Sequence, residues 1–377
     1  YYELAPRPMP AVSASVHLLW RTALTLLLAW LAARACVALG TPIPWMIGPL
    51  LATAGASMAG LPTYSANALR NAGQWTIGAA LGLYFTPEVT RLVASLWWAV
   101  ALGVAWALAL GLGFGTWLDR ALRGQLAHLA PAERRATTYF AGAIGGASEM
   151  TLLAERAGAR TDLVAAAHSV RMAVVVLSIP FAMQWAKQHW GLQALDMTPP
   201  TARAAEWPGL LWLVLATGLG AMAMRLTGRA NPWFIGALLA AMALAMAGVH
   251  WSSVPTALTN AAQLVIGISL GVRFSRQFLR AAPRWLGAAA LGTAGMIVAC
   301  ALFAWALAWA TGIHPVTLML ATSPGGITEM AITAKVLQLG VPVVTAFQVC
   351  RLVAVLLLAE PVFRCWARRL DSVPNRA

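Results

Sequence analysis

The sequence predicts an all-α polytopic membrane protein of two inverted repeats, with about ten transmembrane helices and two broken or re-entrant elements that each carry a glycine pair. Three observations predict this. The 377 residues are 60% hydrophobic and 10% charged, whereas a soluble domain carries about a quarter charged residues. Apolar runs such as Trp98 to Phe114, Leu210 to Met224 and Leu286 to Ala310 have the length of a bilayer pass, roughly 20 residues. Finally, the chain repeats itself. "PWMIGPLLA" at Pro44 returns as "PWFIGALLA" at Pro232, "NAGQWTIGAALG" at Asn71 as "NAAQLVIGISLG" at Asn260, and "GGASEM" at Gly145 as "GGITEM" at Gly325. Repeats of this kind are common in transporters. They divide the chain into a first unit, residues 17–193, and a second, residues 208–370.

Six apolar elements can be drawn in each half. They begin near His17, Pro44, Ala68, Leu92, Thr137 and Asp162, and then near Leu210, Pro232, Leu258, Trp285, Val316 and Val343. The first run, Ala23 to Cys36, contains "LAARA" and faintly resembles a signal peptide. It is read as a membrane helix, because the second half has a counterpart. The Pro-Trp pairs at Pro44 and Pro232 are expected to begin helices at the interface, with no ligand role. Gly78 with Gly82, and Gly267 with Gly271, form a close-packing ridge.

Loop charges set the relative orientation of the halves. Leu118 to Ala136 holds Arg120, Arg123, Arg134 and Arg135, while its counterpart "ATGIHPVT" has no Arg or Lys. "RFSRQFLRAAPR" holds Arg273, Arg276, Arg280 and Arg284, against Arg91 alone in "FTPEVTR". "MRLTGRAN" holds Arg225 and Arg229, against none in "GTPIP". Basic loops stay on the cytoplasmic side, so the halves are expected to face opposite ways, with an odd number of crossings each. A glycine-pair element that enters and returns supplies that odd count. Both termini are then cytoplasmic, in keeping with Arg364, Arg368 and Arg369.

The net charge of +14 is carried by these loops, and no basic soluble module exists to bind nucleic acid. Cys36, Cys300, Cys350 and Cys365 form no CxxC and read as free, packed thiols. The histidines His17, His128, His168, His189, His250 and His314 are scattered, and only His168 falls clearly inside the bilayer. No metal site, cofactor or catalytic residue is therefore expected. Beyond the lipid bilayer, the partner expected is a small solute; oligomeric state is left open.

The candidate site gathers around the glycine pairs. Irregular backbone survives at membrane depth only where protein or a water-filled cavity satisfies it. Pro324 and the pairs Gly145–Gly146 and Gly325–Gly326 weaken a helix. A break there creates a new helix N-terminus, an anion site, with Ser148 or Thr328 as a cap. Close packing of small residues is the alternative. Glu149 and Glu329 are a symmetric pair of carboxylates within apolar segments, each followed at the same interval by an arginine, Arg171 and Arg351. Either these form two structural salt bridges, or the arginines hold an anionic solute while a glutamate exchanges a proton. Asn71 with Gln74, and Asn260 with Gln263, share a helix face and serve as interhelical glue or as solute ligands. His168 and Gln348 stand at matching positions one turn before the arginines. His168 is a packing residue or a proton relay.

Together the two "PW-(M/F)-IG-x-LLA" boxes, the two "N-A-x-Q-x-x-IG-x-x-LG" helices and the two "GG-x-(S/T)-EM" cores resemble the AbrB family of bacterial membrane proteins. The resemblance runs from about Trp20 to Arg368 and includes the duplication. That family carries the labels "transcriptional regulator" and "ammonia monooxygenase". The plan is also similar to the cation/proton antiporter and anion transporter superfamily, which implies alternating access. The scattered histidines argue against a copper or iron oxygenase, and the lack of a soluble module against direct DNA binding. The expectation is a secondary transporter or exporter of a small, anionic solute in the bacterial inner membrane, coupled to protons or Na⁺. The alternative is a membrane-embedded regulator acting indirectly on gene expression through its Arg-rich loops.

Overall fold

The computed structural model describes residues 11–189, 205–228 and 231–371, with side chains from residue 18 onward except 279–281 and 369–371. The expected boundary at Gln193, Arg229, and the side chains of His17, Arg280 and Arg369 lie outside the described residues.

Within the described residues all regular structure is helical. The first half gives α1 (Ala11–Ala38), α2 (Pro44–Ala59), α3 (Asn67–Gly82), α4 (Pro87–Ser95), α5 (Trp97–Ala121), α6 (Pro131–Gly142), α7 (Ala147–Arg156) and α8 (Thr161–His189). The second gives α9 (Trp207–Leu226), α10 (Pro232–Met246), α11 (Thr256–Gly271), α12 (Arg276–Ala281), α13 (Pro283–Thr311), α14 (Pro315–Thr322), α15 (Ile327–Leu337) and α16 (Val341–Asp371). The order of long, short and broken helices is the same twice over.

Local chemistry explains most boundaries. Proline opens α2, α4, α6, α10, α13 and α14, where its missing N–H would be unsatisfied anyway. Thr86 caps α4 by accepting from the Val89 amide, and Ser275 caps α12 by accepting from Phe278. The run expected to start near Leu92 is two helices, because the backbone turns at Leu96 (φ −92, ψ 14).

Among the described residues six helical stretches are long and apolar enough to cross a membrane: Leu18–Ala38, Trp97–Ala121, Thr161–His189, Trp207–Leu226, Pro283–Thr311 and Val341–Arg368. This is a membrane protein. The tally falls short of the ten passes expected from sequence because α2, α3, α10 and α11 are only 15 or 16 residues long. At 1.5 Å per residue they reach about 24 Å, less than a hydrocarbon core of roughly 30 Å.

The sequence repeats are not separate bundles in space. α1, α2 and α3 pack with α9, α10 and α11, while α5 to α8 pack with α13 to α16. In the first bundle the halves interlock through the glycine ridge. A Cβ at Gly82 on α3 would stand 2.5 Å from the Leu238 carbonyl oxygen of α10, and one at Gly267 on α11 would stand 2.5 Å from that of Met46 on α2. Only glycine permits these backbones to approach so closely. In the second bundle α13 lies on α8, and α16 lies on α5.

That second bundle contains the glycine-pair elements, and both turn back on themselves. The Arg160 amide, just past α7, donates to Thr137 Oγ1 in α6 (3.0 Å). At the matching place in the other half, a Cβ on Gly340 would stand 2.5 Å from Thr317 Cγ2. The two hairpins stand at opposite ends of α13. Its first turn is tied to the base of α8 by Trp285 Nε1 donating to the Leu163 carbonyl (2.9 Å). Its last turn leads within a few residues into α14. With 29 residues α13 is about 43 Å long, so the two tips, 143–146 and 323–326, enter from opposite ends and meet between them.

Candidate functional site

Each tip is a helix interrupted by extended backbone. α6 stops at Gly142 and α7 restarts after Gly146 (φ −66, ψ 142). Likewise α14 stops at Thr322, and α15 restarts after Gly326 (φ −75, ψ 153). A stop of this kind leaves the carbonyls of one half-helix and the amides of the next without intrahelical partners.

The carbonyls are taken by the arginines. Arg171 on α8 donates through Nη1 to Ala143 O (3.0 Å) and through Nη2 to Gly145 O (3.3 Å). Arg351 on α16 does the same in the other repeat, through Nη1 to Ser323 O (2.5 Å) and through Nη2 to Gly325 O (2.7 Å). Both side chains are almost wholly buried, 2% and 6% exposed. Their Nε atoms have no partner. One turn earlier, His168 Nε2 meets Phe140 O (2.9 Å) and Gln348 Nε2 donates to Leu320 O (2.8 Å), again at matching positions. Arg171 Nη2 donates to His168 Nδ1 (2.5 Å), so the imidazole is the neutral tautomer with its proton on Nε2.

At the restarted helices sit the carboxylates. Glu149 and Glu329 occupy the third helical position of α7 and α15, where a negative charge faces the positive end of the helix. Each side chain curls back over its own N-cap glycine. A Cβ on Gly146 would run into Glu149 Oε2, and one on Gly326 into Glu329 Oε2. The motif GG-x-(S/T)-E thus has a steric reason: the second glycine makes room for the glutamate three residues on.

This geometry corrects two sequence expectations. The glutamates do not pair with Arg171 and Arg351, since the guanidinium groups are held by main-chain carbonyls. Ser148 and Thr328 are not caps, because the N-cap residues are Gly146 and Gly326 and neither helix has a side-chain cap.

Both tips face one cavity of about 300 Å³ between the two bundles. Of the residues expected at the site, Gly145, Gly146, Ser148, Glu149, His168, Arg171, Gly325, Gly326, Thr328, Glu329 and Arg351 line it, and so do Asn71 and Gln74 from α3. Their counterparts on α11 do not. Asn260 and Gln263 lie near the start of α11, away from the cavity, and Gln263 is buried in packing. α11 instead presents its far end, through Ser269, with Arg273 just beyond the helix. This follows from the hairpins entering from opposite ends: a cavity open toward one side meets the start of α3 and the end of α11.

Sequence reading missed Arg70, Arg273, Asn231 and Trp233 as cavity residues. Arg273 was assigned to a basic loop, and the Pro-Trp pair to a helix start alone. α10 does begin at Pro232. The residue before it, Asn231, adopts a left-handed conformation (φ 51) and turns an unpartnered Oδ1 inward. In the first repeat the same left-handed position holds Ile43 (φ 39), which is fully buried. A polar residue in place of an apolar one at this position was the available signal. Among the described residues no group of three or more His, Cys, Asp or Glu side chains is placed to hold a metal ion.

Comparison with known proteins bears on what this arrangement is for. The family model described as transition state regulatory protein AbrB matches residues 45–367. The chain belongs to the AbrB family. An uncharacterized protein of Bacillus subtilis (strain 168), YhjN, is 27% identical over 307 residues, covering 78% of this chain and 77% of that one. A protein of Escherichia coli (strain K12) named as a regulator, AbrB, is 25% identical over 331 residues, covering 87% and 91%. The family match spans both glycine-pair hairpins and both arginines, so every residue that lines the cavity lies within the AbrB region.

Proposed function

We propose that this AbrB-family membrane protein is a secondary transporter of a small anionic solute, working by alternating access in the bacterial inner membrane with both termini cytoplasmic and the halves inverted. One observation carries the reading. Two broken helices, pointed at each other from opposite ends of the second bundle, present their restarted N-termini to a single cavity on the face of the first bundle. Discontinuous helices at a repeat interface are the usual construction of substrate sites in secondary transporters. Four arginines, Arg70, Arg171, Arg273 and Arg351, line the same cavity and select for negative charge.

The glutamates supply the coupling. Each carboxylate lies over the amides of its own half-helix, where a solute anion would bind. An arriving anion must displace it, and the like charge of the bound anion beside it favours the protonated form of the displaced carboxylate. Solute and proton therefore travel together. The chain performs no bond-making chemistry in this reading and needs no cofactor.

The test is a thermal-shift screen of an organic-anion library on purified protein, then uptake of the hits into proteoliposomes under an imposed pH gradient. Wild-type protein is expected to accumulate a hit on the proton-rich side's drive. Glu149→Gln and Glu329→Gln should each lose that drive while still binding the anion. If no anion moves under any ion gradient, the transporter reading fails. The name of the Escherichia coli relative favours a second reading, indirect regulation through the loop of residues 118–136. It predicts a change in gene expression when Arg120 and Arg123 are replaced by Gln with transport intact.

A further inference from the structure

We infer that the cavity attracts anions chiefly in one access state. Arg70 and Arg273, the two cavity arginines that the duplication does not repeat, draw solute in from the cytoplasmic side and drop out of the wall when the opposite side opens. This rests on the alternating-access reading above. The observation is an asymmetry of charge laid over a symmetric core.

The hairpin groups are duplicated. Glu149 answers to Glu329 and Arg171 to Arg351, and all four line the cavity. A site built from such pairs keeps the same groups whichever side it opens to. The first bundle differs. Setting Asn71 against Asn260 places Arg70 against Thr259, and Arg273 against Tyr84. Thr259 is buried and Tyr84 packs on the apolar core; neither lines the cavity. Arg70 and Arg273 do line it, close enough for their like charges to oppose each other. Among the described residues no ion pair neutralises either.

Inverted repeats alternate access by moving one bundle against the other around a shared site. The opening seen here meets the start of α3 and the end of α11. The opposite opening meets the end of α3 and the start of α11, so Asn260 and Gln263 take the places of Asn71 and Gln74. Thr259 and Tyr84 then stand where Arg70 and Arg273 stood, and both positive charges are gone from the wall. A cleft lined by one sign of charge raises the local concentration of the opposite ion by roughly 10- to 1,000-fold. That advantage belongs to the state shown. Its opening lies at the end of α11, which runs into the loop of Arg273, Arg276 and Arg284, the cytoplasmic side in the transport reading. Dilute solute therefore loads from the cytoplasm, while the gradients set the net direction of flux.

Thiol reagents read the field of the cavity directly. Full-length protein with Cys36, Cys300, Cys350 and Cys365 replaced carries Gln74→Cys or Gln263→Cys, in right-side-out and inside-out vesicles. The probes are an anionic methanethiosulfonate (sulfonatoethyl) and a cationic one (trimethylammonioethyl), each rate divided by that with a free thiol in solution. Gln74→Cys is expected to react from the cytoplasmic face and Gln263→Cys from the opposite face. The anion-to-cation rate ratio should be at least ~10-fold higher at Gln74→Cys than at Gln263→Cys. Arg70→Gln combined with Arg273→Gln should remove most of that excess and leave the ratio at Gln263→Cys unchanged. If the arginine variant does not fold, the comparison of the two cysteines with both arginines present decides alone. Equal ratios at the two cysteines, or an excess at Gln74→Cys that outlasts the loss of both arginines, would overturn the proposal and leave alternating access standing. No reaction of Gln263→Cys from either face would remove the second opening, and with it both the proposal and the alternating-access reading.

Discussion

Glycine at 146 and 326 is dictated by a side chain rather than by backbone torsion, for both residues have ordinary extended dihedrals. Gly326→Ala should therefore destabilise by about 1 kcal/mol, the low end of the cost of overpacking, because the new methyl meets the Glu329 carboxylate and the Met172 methyl, both movable ends of their side chains. Adding Glu329→Ala should restore part of that loss. Thermal unfolding of the two variants and the double variant in detergent checks this, and a strictly additive result would remove the steric account. Arg351 makes a second case. Arg351→Lys keeps the charge but cannot span two carbonyls with a planar fork. Leaving Ser323 O or Gly325 O unpaired should cost about 1–3 kcal/mol, read as a lower unfolding midpoint; an unchanged midpoint would mean those carbonyls find other partners.

Helices pack here through what they lack. Gly78→Ala puts a methyl 3.3 Å from Ala237 Cβ and even closer to the Phe234 carbonyl of α10, whereas Gly113→Ala on α5 meets nothing within 4 Å. The first should destabilise by about 1–3 kcal/mol, and the second should be neutral or gain up to about 1 kcal/mol of helix propensity. Equal midpoints for the pair would show that the α3–α10 contact is loose. The second hairpin has a titratable start. His314, in the loop before α14, caps it by accepting from the Val316 amide through Nδ1 (3.2 Å). Burial holds its pKa below the usual histidine value. A depressed histidine pKa means that the folded state binds the proton less well than the unfolded chain. The contribution is therefore present above about pH 6.5 and is lost as pH falls through the folded value. The unfolding midpoint should fall between pH 7 and 5, and His314→Asn, which keeps a capping acceptor, should fall less. Identical pH profiles would exclude the cap.

At the scale of the molecule, the hairpins standing at opposite ends of α13 fix a testable orientation. With the native cysteines Cys36, Cys300, Cys350 and Cys365 replaced, Cys at Arg123 and Cys at Arg276 should react with an impermeant maleimide from the same side of the membrane. Cys at His314 should react from the other. Labelling of Arg123→Cys and Arg276→Cys from opposite sides would break the inverted arrangement on which the transport reading stands.

Sequence by itself determined the membrane class, the twofold recurrence of elements, and the residues of the glycine-pair tips. These are written in composition, in local periodicity, and in helix breakers that act on their immediate neighbours. Helix starts at Pro44, Pro232 and near Leu258 were legible for the same reason. Partner choice was not. Glu149 and Arg171 looked like a salt bridge because opposite charges at bilayer depth seek each other. Sequence does not show, however, that a broken helix leaves carbonyls free, and those carbonyls claim the guanidinium first. Nor could repetition reveal that Asn71 and Gln74 reach the cavity while Asn260 and Gln263 do not. Two copies of a segment share local structure, but only the packing of α3 and α11 from opposite directions around one opening decides which end of each helix the cavity sees. Arg70 and Arg273 enter the site by that packing alone.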